Sequence, residues 1–460
     1  MSTAVTGNAL DQSWRRATAF LTELFHEPQD YSIILGNETI LTAAQTPKFS
    51  LVFRDPGVIR RLFSPPLELS LGEGYIRGDM EILGNIYSAF DILNVIMNRL
   101  SGYAKFSRLM RDYLALPAGH LDQARGRGPL DLQGEVHSRE RDRKAVQYHY
   151  DVGNDFYSIW LDKNMQYSCG YFPSGSEDLD TAQVRKMEHI CRKLRLQPGE
   201  TLLDIGCGWG GLLRYAAQRY GVRALGVTLS KQQAAFANQK AEDLELENYA
   251  KVELKDYRDL SSGSFDKIVS VGMFEHVGRS HLPEYFSQVY RLLKFGGLFL
   301  NHGIAMRMPA PRMVEVKSDS GTSLREVKPP FWKTWLDKNI LATGSFSQKY
   351  IFPDGELELV SDANMFGEKA GFEVRDVENL REHYALTIRN WVKNLADHQP
   401  EVEKASDPIT YRTWRLYLAS SVYGFESGVI SVNQTLFSKP TNGKNNLPYS
   451  REDLYRPFAI

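Results

Sequence analysis

The sequence predicts an α/β protein: a mostly parallel sheet with helices on both faces fills the carboxyl-terminal two-thirds, and a smaller α+β domain precedes it. Three observations carry this. From Thr201 onward, apolar runs of strand length alternate with helical stretches, the pattern of repeated β-α units. The first of these runs ends in a glycine-rich turn, Gly206-Cys207-Gly208-Trp209-Gly210-Gly211, that leads into a helix. The amino-terminal residues instead show short strand-like runs without that repeat. With 460 residues the chain also exceeds one ordinary core, at roughly 100–200 residues per domain, so two or three units are expected.

Residues 1–115 read as an accessory α+β domain, strand-like at 31–35 and 49–53 and more helical over 86–100. Residues 116–144 shift to Pro, Gly, Gln and Arg, with Arg125, Arg127, Arg139, Arg141, Arg143 and Lys144 and few apolar side chains. This is a basic linker, either a solvated hinge or a contact for anionic lipid headgroups worth about 1 kcal/mol per basic residue. Residues 145–440 carry the repeats, with strands expected at 201–205, 224–228, 251–254, 265–271 and 298–301 and helices at 212–220, 231–243 and 285–293. A tail, 441–460, follows.

Composition excludes several classes. Lys+Arg 55 against Asp+Glu 56 leaves a formal charge of -1, and the catalytic region interleaves no aromatic and basic residues, so no nucleic-acid partner is expected. Cys169, Cys191 and Cys207 are too few and too scattered for a disulfide framework or a paired-CxxC zinc site, which points to a reducing cytoplasm. No run approaches the roughly 18 apolar residues of a spanning helix, and neither a membrane span nor a signal peptide is expected.

The glycine turn lets a ligand approach the backbone at the carboxyl end of a strand. Its GxGxGG spacing differs from the GxGxxG of dinucleotide enzymes, and the second strand runs into Gly226-Val227-Thr228-Leu229-Ser230 without the acidic residue that would grip ribose hydroxyls. Gln233, one turn into the next helix, is the candidate to replace it. Asp256 and Tyr257, after the third strand, offer an acceptor for an adenine edge and a stacking ring. The alternative is a generic strand-to-helix turn. Further polar constellations fall at loop positions: Tyr167-Ser168-Cys169, Phe274-Glu275-His276, His302, and Tyr384 in an aromatic helix with Trp391. Glu275 and His302 are expected at the carboxyl ends of adjacent strands, where α/β sheets place ligands. A Cys–His nucleophilic pair lacks an evident orienting third residue, neither His276 nor His302 has a partner at metal-ligand spacing, and each residue alone also reads as structural.

Together these segments resemble the cyclopropane fatty-acyl-phospholipid synthases and the related mycolic acid cyclopropane synthases. The resemblance runs through Tyr148-His149-Tyr150-Asp151-Val152-Gly153-Asn154-Asp155-Phe156, Tyr167-Ser168-Cys169-Gly170-Tyr171-Phe172, the loop from Asp204 to Gly211, Gly226-Val227-Thr228-Leu229-Ser230, Val271-Gly272-Met273-Phe274-Glu275-His276-Val277-Gly278 and Lys349-Tyr350-Ile351-Phe352-Pro353. It continues through Trp414-Arg415-Leu416-Tyr417 to Leu436-Phe437-Ser438-Lys439, roughly the last two-thirds of the chain. Gly72-Glu73-Gly74-Tyr75 resembles the accessory domain of the phospholipid-acting branch only loosely.

The resemblance implies a Rossmann-like S-adenosylmethionine methyltransferase domain. It implies methylene transfer to the double bond of an unsaturated acyl chain of a phospholipid, through a carbocation deprotonated by bound bicarbonate. The bicarbonate would be held by Cys169 (backbone), Glu275, His302, Ile304 (backbone) and Tyr384, and S-adenosylmethionine by Tyr150, Tyr167, Ser168, Gly206, Gly208, Thr228, Gln233 and Tyr257. It further implies a homodimer in peripheral contact with the inner face of the membrane. A carbocation beside a reactive thiolate or amine would alkylate the enzyme, which fits a site of aromatic faces and hydrogen-bonded oxygens. One departure stands out: residues 305–348 are an insertion rich in Pro, Lys and Trp. They read as a lid over an acyl tunnel, a membrane contact through Phe331, Trp332 and Trp335, or a solvated excursion. A base that took a different proton would leave a methylene- or methyl-branched chain instead of a ring.

Overall fold

In a computed structural model of the chain, the described residues are 2–26, 30–100, 103–118, 128–130, 132–150, 152–261, 265–308, 312–318, 321–327, 331–445 and 447–456. Its strands, in chain order, are β1 Tyr31–Leu35, β2 Glu38–Leu41, β3 Phe49–Phe53, β4 Met80–Gly84, β5 Thr201–Ile205, β6 Arg223–Thr228, β7 Ala250–Leu254, β8 Phe265–Val271 and β9 Leu293–Met306. Then come β10 Arg312–Ser318, β11 Gly321–Val327, β12 Glu358–Leu359, β13 Glu373–Asn379 and β14 Ile430–Ser438.

The chain divides into two compact units. The second comprises Pro129–Met308, Phe352–Asp407 and Gly424–Ile460. Its sheet, eight-stranded among the described residues, has the order β13-β14-β9-β8-β5-β6-β7, with β12 beside β9. Strands β5 to β9 are parallel, as expected from their alternation with helices, whereas β14 runs antiparallel to both β9 and β13. Because successive strand side chains point to opposite faces, neighbouring residues sort into two cores. Leu202, Val269, Leu300 and Leu436 pack with Ile190, Leu213 and Ala237 on one face. Leu203, Ile268, Phe299 and Phe437 pack with Tyr285, Phe286 and Val289 on the other. Covering helices start on polar caps: Asp178 accepts from the Thr181 amide at 2.8 Å and Ser230 from the Gln233 amide at 3.3 Å. Phe299 is fully buried and stacks on Phe437 at 5.6 Å. Truncating it to alanine is expected to cost about 3–5 kcal/mol, read by urea unfolding.

The first unit comprises Met1–Gly128, Pro309–Ile351 and Pro408–Tyr423. Its sheet has the order β2-β1-β3-β4, with β1 parallel to β3 and the outer pairs antiparallel. This division departs from the chain-order one expected from sequence, since the insertion and residues 408–423 group with the amino-terminal residues. The cause is local chemistry. The Glu68 carboxylate accepts from the amides of Gly344 (2.7 Å) and Phe346 (3.3 Å), and Glu73 accepts from Lys349 (2.8 Å) and from the Tyr350 hydroxyl (3.0 Å). A Cβ on Gly72 would lie 2.4 Å from the Phe346 ring, so only glycine admits that ring. The Arg412 guanidinium lies 4.1 Å from the centre of the Tyr75 ring and donates to Glu81 at 2.7 Å.

The insertion forms an antiparallel hairpin, β10 with β11, followed by the helix Phe331–Leu336. Trp335 is 46% exposed, while the side chains of Phe331 and Trp332 lie outside the described residues. Of the expected linker, Arg125 and Arg127 lie outside the described residues, and its basic end is a helix, Arg139–Tyr150. That end is charge-compensated, for Arg141 forms a two-pronged pair with Asp354 and Asp142 receives Arg258 at 3.1 Å. Among the described residues no helix is long and apolar enough to cross a membrane.

Candidate active site

At the carboxyl ends of β5, β6 and β8 the second unit opens into a cavity lined by the glycine turn, the segment from Met165 to Ser168, Thr228, Gln233, Asp256, Tyr257 and Met273. Tyr150, Tyr167, Ser168, Gly206, Gly208, Thr228, Gln233 and Tyr257 all lie on its wall. The turn works because Gly206 takes φ +78, and a Cβ there would lie 2.7 Å from Met273. The Thr228 hydroxyl donates to Gln233 Oε1 at 2.8 Å, fixing the amide so that Nε2, buried and without a protein partner, remains a donor. Asp204, at the end of β5, is buried with Oδ1 likewise unpartnered. Burial pushes its carboxyl up to about 7, against the pull of Lys186. Orphaned donors and acceptors around a glycine cradle, with Tyr257 at one edge, fit a polar nucleoside carrying charged groups.

Cys169, Glu275, His302, Ile304 and Tyr384 lie outside that wall; Cys169 and Glu275 adjoin wall residues in sequence, and His302 pairs with the wall residue Val271. Glu275 is held by the Ile304 amide, which donates to Oε1 at 2.7 Å, while Oε2 is buried without a partner. Burial raises its carboxyl to about 7, against the Ile304 hydrogen bond. His302 pairs with Val271 across β8 and β9, and its Nδ1 receives Gln434 Nε2 at 3.1 Å. The neutral ring therefore carries its proton at Nε2, which is buried and unpartnered. Burial, then Lys186 and Lys193, hold the His302 pKa at about 3. Cys169 and Tyr384 form a second group around Leu380, whose carbonyl receives the thiol at 3.7 Å and the Tyr384 amide at 3.0 Å. Strand β14 joins the groups, since the Val432 carbonyl takes the Leu380 amide and Gln434 holds His302. Burial pushes the Cys169 thiol far up, so it is no thiolate nucleophile.

An aromatic file links the two regions. Tyr150 meets Trp209 at 5.7 Å, Tyr167 meets Trp391 at 5.2 Å, and Trp391 meets Tyr384 at 5.9 Å. Gln166 and Lys186 carry no motif in the sequence, and Asp204 and Trp209 enter it only as members of the glycine loop. An aspartate inside the apolar run of β5 was the one visible signal; Lys186, in a helix rich in charged residues, gave none. A histidine kept neutral by burial binds fewer protons than its unfolded counterpart below about pH 6.5, so its contribution to stability is present above that value and is lost as pH falls toward 3. A His302→Asn variant is accordingly expected to lose less stability than the parent between about pH 7 and 5, measured by urea unfolding.

A family profile described as "Mycolic acid cyclopropane synthetase" matches residues 137–435. A "Probable fatty acid methyltransferase" of Pseudomonas putida is 36% identical over 433 residues, covering 94% of this chain and 97% of that protein. The "Cyclopropane-fatty-acyl-phospholipid synthase" of Escherichia coli K12 is 34% identical over 390 residues, 84% of this chain and 87% of that protein. Among solved structures, mycolic acid cyclopropane synthase CmaA1 complexed with SAH and CTAB superposes with a TM-score of 0.57 at 32% identity, covering 64% of this chain and 97% of that one.

Proposed function

The chain belongs to the mycolic acid cyclopropane synthetase family and is an S-adenosylmethionine-dependent methyltransferase, and on that premise we propose that it builds a cyclopropane ring on the double bond of an unsaturated phospholipid acyl chain. The observation that carries the reading is the pair of buried, unpartnered atoms Glu275 Oε2 and His302 Nε2, an acceptor in the turn after β8 and a donor within β9, the strand paired with β8. A free acceptor and a free donor would together suit hydrogencarbonate, which offers one hydroxyl proton and accepts through its other oxygens. Bound S-adenosylmethionine supplies an electrophilic methyl group, and Tyr150, Tyr167, Ser168, Gly206, Gly208, Thr228, Gln233 and Tyr257 would hold it. Hydrogencarbonate would supply the base, held by Glu275 and His302, with Tyr384 and the Cys169 backbone completing its surroundings.

The chain's own residues do the rest. Ile304 orients the Glu275 carboxylate through its amide, so that amide is committed to positioning. Gln434 fixes the His302 tautomer, and the protonated Cys169 thiol keeps a competing nucleophile out of the site. The rings of Tyr167, Trp391 and Tyr384, packed in one file, would favour positive charge developing on a nearby acyl carbon. The proposal includes a cytoplasmic homodimer that meets the inner membrane face peripherally, checked by vesicle flotation and sedimentation.

A second reading rests on the Pseudomonas putida relative, which matches nearly end to end and is called a fatty acid methyltransferase. The same chemistry would then end in a methylene- or methyl-branched chain. The test is label transfer from methyl-labelled S-adenosylmethionine to vesicles. Label in unsaturated but not saturated phospholipid supports a lipid double bond as the acceptor in either reading, and the mass of the labelled chains separates them, since a ring adds CH₂ and takes up no H₂, a methylene branch adds CH₂ and then takes up H₂, and a saturated methyl branch adds CH₂ and two hydrogens; no label in any lipid refutes both.

A further inference from the structure

The helix Leu179–Leu194 carries a lysine where no solvent reaches it: Lys186 is 1% exposed. Its ammonium donates to Ser168 Oγ at 2.9 Å and to Gln166 Oε1. One turn earlier, Gln183 donates through Nε2 to the Ser168 carbonyl at 2.8 Å. The helix therefore grips one stretch of the cavity wall through both backbone and side chain, since Gln166 and Ser168 both line the cavity. Burying an ammonium is costly unless charge and hydrogen bonds compensate it. Burial lowers the Lys186 pKa to about 8, opposed by the carboxylates of Asp162 and Asp204 and by Cys169. The Asp162 carboxylate is already engaged by the amides of Asn164 (2.8 Å) and Gln166 (2.7 Å). Asp204, also on the cavity wall, keeps Oδ1 free of any protein partner.

A lysine ammonium has three donors and no acceptor, so a hydroxyl that it contacts must accept. Ser168 Oγ thus spends a lone pair on Lys186 and keeps its own proton to donate elsewhere, and the cavity is the space it borders. We propose that Lys186 is a positioning residue for the amino-acid end of the cofactor: it makes the Ser168 hydroxyl a donor aimed at the carboxylate, while Asp204 Oδ1 accepts from the ammonium. Asp204 on the cavity wall, and Lys186 buried behind it and acting through Ser168, match the two opposite charges of that end. The assignment rests on the reading that S-adenosylmethionine binds in this cavity.

The test compares S-adenosylhomocysteine with 5′-methylthioadenosine, which keeps the nucleoside and thioether but lacks the amino-acid end, both titrated calorimetrically. Lys186→Met is expected to weaken S-adenosylhomocysteine roughly 10- to 100-fold, the range of hydrogen bonds to charged groups, and to leave methylthioadenosine unchanged. Ser168→Ala, a smaller perturbation of the fold, should show the same selective loss, and the double variant should lose less than the product of the two single losses because both remove one interaction. Ser168→Ala binding S-adenosylhomocysteine as the parent does would overturn the proposal, however Lys186→Met behaves. Equal loss of both ligands in the two single variants would reduce Lys186 to a structural role. A parent protein that binds neither ligand would refute the cavity reading itself.

Discussion

Replacing Glu275 by glutamine is expected to lower turnover by roughly 10²- to 10⁴-fold while changing S-adenosylhomocysteine affinity by no more than about threefold. Glutamine is nearly isosteric, and its carbonyl can still receive the Ile304 amide that now donates to Oε1 at 2.7 Å. What it loses is the second acceptor: Oε2, buried and unpartnered, becomes an NH₂ group that donates. The position lies outside the wall of the cavity proposed to hold the cofactor, so binding there should be spared. The carboxyl is raised to about 7 by burial. If the ionised form is the acceptor, turnover climbs with pH through that value and levels off above it, whereas the variant shows no such limb. The stability linkage has the opposite sense. Between its ordinary range near 4.5 and about 7 the native group holds a proton that the unfolded one has lost, so its contribution to stability falls as pH rises through that window. Parent-like turnover in Glu275→Gln would remove the acceptor role.

The second large effect is expected at the glycine turn. Gly206→Val should abolish measurable S-adenosylhomocysteine binding, a loss of at least about 100-fold, because valine meets two obstacles at once. A β-branched residue is strained at φ +78, and its Cβ would lie 2.7 Å from Met273. Calorimetry measures the loss, and far-UV circular dichroism checks that the sheet persists. A folded variant with parent-like affinity would show that the turn is not the cradle.

The parallel part of the sheet was legible because β5, β6 and β8 are short runs with apolar residues, each followed by helix signals, and β7 follows the second of those helices. The two-residue alternation that puts Leu202 and Leu203 into opposite cores is written in the sequence itself. Strands β13 and β14 were not legible as partners of that sheet: β14 joins β9 antiparallel from more than a hundred residues away, and no local pattern encodes the pairing. The same distance hid Gln434, whose grip on His302 sets the tautomer. The polar candidates were visible as motifs, but their division into a cavity wall and two flanking groups was not. The basic residues 139–144 looked like a solvated linker because charge without periodicity reads that way. Their partners Asp354 and Asp259 lie far along the chain. Lys186 was hidden for the converse reason, since one lysine in a charged helix is normally a surface residue and only packing shows it to be enclosed.

The most direct test of the account is the mass of the acyl chains after the purified protein has acted on unsaturated phospholipid vesicles with S-adenosylmethionine, measured before and after mild hydrogenation. The account predicts chains heavier by one CH₂ that take up no H₂, the behaviour of a saturated ring. Chains that gain the CH₂ and then take up H₂ would contradict it in favour of a methylene branch, and chains that gain nothing would contradict the lipid substrate altogether.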